Sequence, residues 1–197
     1  MTPNAVRRYP RVIRHEAGDF EICYMTAADE AAVLAFAQAL PDHDLLFLPR
    51  DITQPKVLAA WIQEIERGAL TTLLAVREGT VLGCATIVCD TLSWSAHVGE
   101  IRVVVAAQAR GSGIGRLLIQ EIFRVALGLG VEKLMAQMTA DQRGAIAVFE
   151  SMGFRSEALL RDHVRDREGV KHDLVILGHD VARFQAQMQA YGLTEAF

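Results

Sequence analysis

The chain has 197 residues, a formal net charge of −4, and a composition that is 51% hydrophobic and 22% charged. That length suffices for one well-cored domain, and so much apolar content with ordinary charge excludes a disordered chain. The slight acidic excess argues against a nucleic-acid partner, which would need a basic surplus, and no apolar run approaches the roughly 20 residues that span a bilayer.

Residues 1–18 read as an N-terminal extension. Arg7, Arg8, Arg11 and Arg14 have no apolar segment behind them, so they mark a solvated arm rather than a secretory signal, and a cytoplasmic location is expected. Cys23, Cys84 and Cys89 lack metal-ligand spacing and suit a reducing compartment as small buried hydrophobes. Phe20–Met25 predicts a first strand. Asp29 caps a helix with Val33, Phe36, Ala37 and Leu40 on one stripe, broken at Pro41. Pro55 starts a second helix, whose stripe is Leu58, Trp61, Ile62 and Ile65 and whose end is Gly68. Thr71–Arg77 and Val81–Cys89 predict a hairpin turning at Glu78-Gly79, and His97–Val105 predicts the next strand. A helix follows, with Ile114, Leu117, Leu118, Ile122 and Val125 at helical spacing. Then come a strand (Lys133–Met138), a helix (Asp141–Met152) and a hairpin of Phe154–Arg165 with Lys171–Leu177. Val181–Tyr191 predicts a terminal helix, used in packing or in a homodimer, within a C-terminal segment 181–197. Meander strands followed by a βαβ-like unit imply an α/β (α+β) fold, a mixed sheet flanked by helices across residues 19–180.

The segment with most chemical content is Val103 to Leu118. A β-branched run leads into a turn with glycine at 111, 113 and 115, and an amphipathic helix begins at once. Unpaired N–H groups at a helix start, with the helix dipole behind them, hold an anion, and glycine lets the backbone approach it. A Walker loop would end Gly-Lys-Ser/Thr, whereas this one ends Gly115-Arg116-Leu117. A dinucleotide fingerprint would need Gly-x-Gly-x-x-Gly, which the spacing rules out.

What remains, Arg110-Gly111-Ser112-Gly113-Ile114-Gly115, has the form Arg/Gln-x-x-Gly-x-Gly/Ala. It resembles the acyl-coenzyme A pyrophosphate loop of the GCN5-related N-acetyltransferase (GNAT) superfamily. Gly99–Val105 looks like that family's fourth strand, Lys133–Met138 like its fifth, and Asp141–Phe154 like the following helix with its Gly-Phe exit. The likeness runs from Val81 to Asp180. It implies a mostly antiparallel central sheet and an acyl-CoA-dependent N-acyltransferase. The donor would be acetyl-CoA, with no metal, and the acceptor a primary amine of a small molecule or peptide.

The implied reaction is attack of an amine on a thioester. An alkyl ammonium has a pKa near 10, so the site must remove a proton, and a carboxylate acting through water can do so. The resemblance makes Glu100 the first candidate base, since an acidic residue on this strand often serves; the alternative is an outward-facing carboxylate on a half-buried strand. His97 is a second candidate, or a surface residue at a strand start. For the donor, the resemblance implies Val103, Val104 and Val105, with main-chain groups of Val103 and Val105 aligning the pantetheine arm like an added strand. Gly111, Ser112, Gly113, Ile114 and Gly115 would hold the diphosphate. Arg110 and Arg116 would neutralise its charge, or else remain solvated.

Two departures from the family pattern stand out. Phe149 occupies the place of a tyrosine that protonates the leaving thiolate, and so reads as core in a donor-lining helix. Gln142 occupies the place of an asparagine, where it could bond a pantetheine amide. The acceptor pocket implied by the resemblance draws on His43, Asp44, Asp51, Trp61, His163, His172 and Asp173. A non-catalytic acyl-CoA sensor or interaction module is the alternative, kept open by Phe149.

Overall fold

The computed structural model describes residues 8–15 and 18–183. The strands are β1 (Arg11–Ile13), β2 (Phe20–Tyr24), β3 (Leu70–Arg77), β4 (Thr80–Cys89), β5 (Val98–Val105), β6 (Lys133–Thr139), β7 (Arg155–Arg165) and β8 (Lys171–Asp180). They form a single eight-stranded sheet in the order β1-β2-β3-β4-β5-β6-β8-β7. Every neighbouring pair is antiparallel except β5 with β6. The helices are α1 (Glu30–Gln38), α2 (Pro55–Glu66), α3 (Ile114–Gly128) and α4 (Arg143–Ser151). The expected mixed, mostly antiparallel sheet flanked by helices is therefore present.

Local chemistry accounts for most of these elements. Glu78 (φ 49°) and Gly79 (φ 77°) both adopt the left-handed conformation, the backbone of a two-residue hairpin turn whose twist matches its strands. Pro55 opens α2, where its missing N–H costs nothing, and Leu58, Trp61 and Ile62 turn inward. In α3 the buried face is Ile114, Leu118, Ile119, Ile122 and Ala126. Burial of one such aliphatic side chain contributes about 1.5–3 kcal/mol.

Side-chain contacts decide which face of the sheet each helix covers. Trp61 Nε1–H donates to the Thr72 hydroxyl at 3.1 Å, which lies 2.9 Å from that of Thr86, so the even-numbered residues of β4 look toward α2. A Cβ on Gly83 would stand 3.0 Å from Leu118 Cδ1, so the odd-numbered residues look toward α3. The sheet thus lies between α1 and α2 on one side and α3 on the other. Trp61, expected in the acceptor pocket, is instead a core residue whose indole nitrogen is satisfied by threonine; its place on the apolar stripe of α2 is what buries it.

The N-terminal extension is not a loose arm over its described part. Arg11–Ile13 pairs with Phe20–Ile22 of β2. Tyr9 donates to Glu121 Oε2 at 2.8 Å, while Arg11 and Arg124 donate to Oε1 at 3.0 and 2.9 Å. Glu121 is buried on α3, and this pairing satisfies its charge. Burial, with the carboxylate beside it, pushes the Tyr9 phenol far above its usual range. A three-residue edge strand has no periodicity to read, which is why the sequence did not reveal it. Cys84 is fully enclosed, and burial pushes its thiol up to about 12; all three cysteines are free. Of the expected terminal helix Val181–Tyr191, only Val181–Arg183 falls within the described residues, and these are helical. No helix among the described residues is long and apolar enough to cross a membrane.

Candidate functional site

The site begins where the one parallel ladder fails. β5 and β6 pair only at Val98↔Lys133, Gly99↔Leu134 and Glu100↔Met135, yet β5 runs on to Val105 and β6 to Thr139. Past Glu100 the two strands part and leave a cleft that opens toward their C-terminal ends, where open α/β sheets bind ligands.

One edge of β5 faces that cleft. Antiparallel pairing alternates the direction of main-chain groups. Ala106 N–H donates to Leu82 carbonyl at 2.8 Å, so in the same register Val104 and Arg102 direct their main-chain groups at β4. Ile101, Val103 and Val105 therefore direct theirs toward the cleft. This corrects the expectation for Val104: its amide and carbonyl belong to the ladder with Cys84, and its side chain is buried.

At the wide end of the cleft lies the glycine loop. A 3-10 turn over Ala107–Ala109 is pinned by Ser112, whose hydroxyl donates to Ala109 carbonyl at 2.6 Å. Gly111 and Gly113 have φ of 71° and 86°, a conformation that side-chain-bearing residues rarely adopt. Gly113 immediately precedes α3, and no side chain caps that helix, so its first-turn N–H groups remain available to a ligand. Gly115 packs against β5, where a Cβ would sit 3.4 Å from Val105 Cγ2. Ile114 is buried and anchors the helix start.

The charged candidates have specific partners. Glu100 stands at the apex of the cleft, on the same face of β5 as Arg102 and so on the α2 side. Arg102 Nε and Nη2 donate to its two carboxylate oxygens at 2.9 and 3.2 Å, and both side chains are about one quarter exposed. His97 is exposed on the turn before β5, and its carbonyl accepts from the N–H groups of Glu132 and Lys133 at 2.9 and 3.2 Å. Arg116 donates to the Ser151 hydroxyl at 2.6 Å, which ties α3 to α4. Arg110 is paired with the buried carboxylate of Asp44.

Gln142 and Phe149 take supporting places. Gln142 Oε1 accepts from Thr139 N–H at 3.2 Å, and its amide nitrogen donates to His43 carbonyl at 3.5 Å. Phe149 is buried and meets Phe154 edge-on, with ring centroids 5.0 Å apart. It packs as the helical stripe predicts and brings no hydroxyl to the cleft.

On the α2 side a 3-10 segment, Asp42–Phe47, packs against both β5 and β6 across the cleft. The tip of the β7–β8 hairpin reaches over to it. Arg167 donates to Asp42 at 2.6 Å and to Asp51 at 2.9 Å, and a depression of about 240 Å³ lies between hairpin and segment. A hydrogen bond from the Thr53 hydroxyl, with Arg167 nearby, holds Asp51 below the usual carboxylate range. His43 Nε2 lies 3.1 Å from Asp141, His172 Nε2 lies 2.7 Å from Asp166, and the two rings meet edge-on at 5.8 Å. The bond to Asp166 raises the His172 pKa, and His172 in turn lowers that of Asp166. His163 is exposed on an irregular stretch of β7, while Asp173 accepts from Asp162 N–H at 2.9 Å. Of the acceptor candidates, His43, Asp51 and His172 come together here, while Asp44 pairs with Arg110; Trp61 and His163 do not join them.

Arg102, Asp141 and Arg167 were not singled out in the sequence. Arg102 carried a usable signal, since an acid and an arginine two apart on a strand share a face. Arg167 carried none, because its partners are more than a hundred residues away. Among the described residues no cluster of histidine, cysteine and acidic side chains could hold a metal ion.

A family model described as the acetyltransferase (GNAT) family matches residues 37–154. The IAA acetyltransferase of Azospirillum brasilense is 34% identical over 94 residues, 47% of this chain and 60% of that protein. The Bacillus subtilis protein YwnH, named as a candidate phosphinothricin acetyltransferase, is 31% identical over 83 residues, 42% of this chain and 50% of its own length. The chain thus spans about half the length of these curated relatives. The crystal structure of a ribosomal-protein-alanine N-acetyltransferase from Brucella melitensis is similar with a TM-score of 0.71 and 29% identity, over 81% of this chain and 98% of that one.

Proposed function

The chain belongs to the acetyltransferase (GNAT) family, and we propose that it transfers an acetyl group from acetyl-CoA to a primary amine of a small molecule or peptide. The observation that carries this reading is the parting of β5 from β6 at Glu100↔Met135, with the uncapped start of α3 at the wide end of the opening. Acetyl-CoA enters as a substrate, and the residues present fit it. An extended amide arm can add to the free edge of Ile101, Val103 and Val105, as a strand adds to a sheet. Its diphosphate suits the first-turn amides after Gly113 and the left-handed glycines of the loop. In this reading Gln142 and Phe149 shape the wall of α4 rather than bond the donor.

The thioester would then lie near the apex, within reach of Glu100. A carboxylate has about four lone-pair sites, so Arg102 can hold it and still leave room for a water that relays the amine proton. The nitrogen forms a bond to the carbonyl carbon, the carbon–sulfur bond breaks, and the thiolate leaves with its electron pair to be protonated from solvent. Departure without a tyrosine is feasible because thiol pKa values lie near 8.5. The relative named for phosphinothricin and the alanine transferase favour a small amine or a peptide amino terminus as acceptor.

Titration of acetyl-CoA into the protein, followed by a thiol-release screen over primary amines, tests the assignment. Binding with amine-dependent release supports it. Phe149 favours one other reading, a sensor that binds acyl-CoA without turnover, which predicts binding but no thiol release with any amine. Absence of binding defeats both.

A further inference from the structure

Asp44 is a carboxylate with a side chain only 9% exposed, on the segment that lies across the cleft, and its counter-ion is Arg110, the first residue of the glycine loop. The neighbouring acids of that region have other partners: Asp42 and Asp51 share Arg167, and Asp141 pairs with His43. A buried carboxylate is costly without a counter-charge. Arg110, half exposed on the glycine loop, therefore stands between that carboxylate and the proposed diphosphate site.

We propose that Asp44 and Arg110 form an exchangeable ion pair that couples the two substrates. The donor's diphosphate draws the guanidinium off Asp44, and the carboxylate so released receives the ammonium group of the acceptor. The inference rests on the donor site proposed above. It makes Asp44 a specificity-determining residue for cationic amines, and it makes donor and acceptor each raise the other's affinity, as linkage requires.

The test is calorimetric titration of CoA into wild type, Asp44→Asn, Arg110→Gln and the double variant. Asp44→Asn should bind CoA about fivefold tighter or more, because Arg110 no longer has to leave a partner. Arg110→Gln should bind more weakly, and the gain from Asp44→Asn should vanish in the double variant. Equal or weaker binding by Asp44→Asn, as expected if one guanidinium bridges both anions, overturns the proposal, as does a gain that survives in the double variant. No heat with wild type would instead defeat the donor-site reading, and this inference with it.

A second arm uses thiol release from saturating acetyl-CoA with a panel of primary amines. Asp44→Asn should raise the amine KM by about tenfold or more while CoA affinity moves the opposite way, a split that general loss of structure does not produce. An unchanged amine KM removes Asp44 from the acceptor site. If Asp44→Asn does not fold, wild type still decides the matter. The Arg110 Nε–Hε resonance, assigned by its loss in Arg110→Gln, and the Asp44 carboxyl carbon must both shift when CoA is added. A carboxyl carbon that stays still overturns the exchange.

Discussion

Arg102 grips both carboxylate oxygens of Glu100 from two residues further along the same strand, at 2.9 and 3.2 Å, at the last position where β5 still pairs with β6. The pair gives the apex of the cleft a carboxylate of fixed orientation, with one side committed to the guanidinium and the other left to solvent or substrate. A purely structural acid would not need to stand where the sheet opens.

Glu100→Gln keeps the shape and the hydrogen-bonding capacity but cannot take a proton. It should lower kcat/KM for the amine by about 100-fold or more, with CoA affinity within a few-fold of wild type. The acid limb of the pH–rate profile should flatten as well. Steady-state kinetics across pH checks this, and an unchanged profile would remove Glu100 from the role of base.

Gly113→Asp should abolish measurable CoA binding. Aspartate tolerates φ of 86° better than most side chains, so the fold should persist while bulk and negative charge enter the anion site. Calorimetry and CoA-induced thermal stabilisation report the loss. Full retained affinity would refute the loop assignment.

Phe149 is a packing residue, and two substitutions separate that role from chemistry. Phe149→Ala removes a ring that meets Phe154 edge-on and should destabilise the fold by about 3–5 kcal/mol in urea denaturation. Phe149→Tyr should leave turnover within a few-fold; a large gain would show that proton donation to the thiolate limits the proposed reaction.

Two histidines should move stability in opposite directions with pH. His172 has its pKa raised by its bond to Asp166, so its contribution is complete below the unfolded pKa of about 6.5 and fades as pH climbs through the higher folded value. His179 has its pKa lowered by burial, beside Phe123 and Phe154, so it favours the fold above about 6.5 and that support is lost on acidification through the lower folded value. Thermal melts from pH 5 to 8 should show His172→Gln losing most at the acid end. His179→Phe should flatten the acid side of the curve. Matching slopes in both variants would contradict these assignments.

Much of the proposed donor side could be read directly because it is local. The strand, the alternating glycines and the apolar stripe of α3 are contiguous, and each part follows from the conformational freedom of its own residues. The hairpin at Glu78-Gly79 and the start of α2 at Pro55 were legible for the same reason. The acceptor side was not. His43 meets His172, Arg167 clasps Asp42 and Asp51, and Asp44 meets Arg110, all across long stretches of chain whose pairing no local pattern encodes.

The amino-acid order alone was enough to determine the elements from Phe20 onward, the glycine loop before α3 and the position of Glu100 on the strand that feeds it, since these depend on neighbours along the backbone. Tertiary structure decided where β5 parts from β6, that Val104 serves the ladder while Val103 and Val105 face the opening, and that Trp61 is core. It also decided the docking of Arg11–Ile13 beside β2 and the partner of Asp44. The physical reason is that strand divergence and the pairing of buried charges are settled by which distant groups share a low-dielectric interior, a property of the packed sheet rather than of any segment within it.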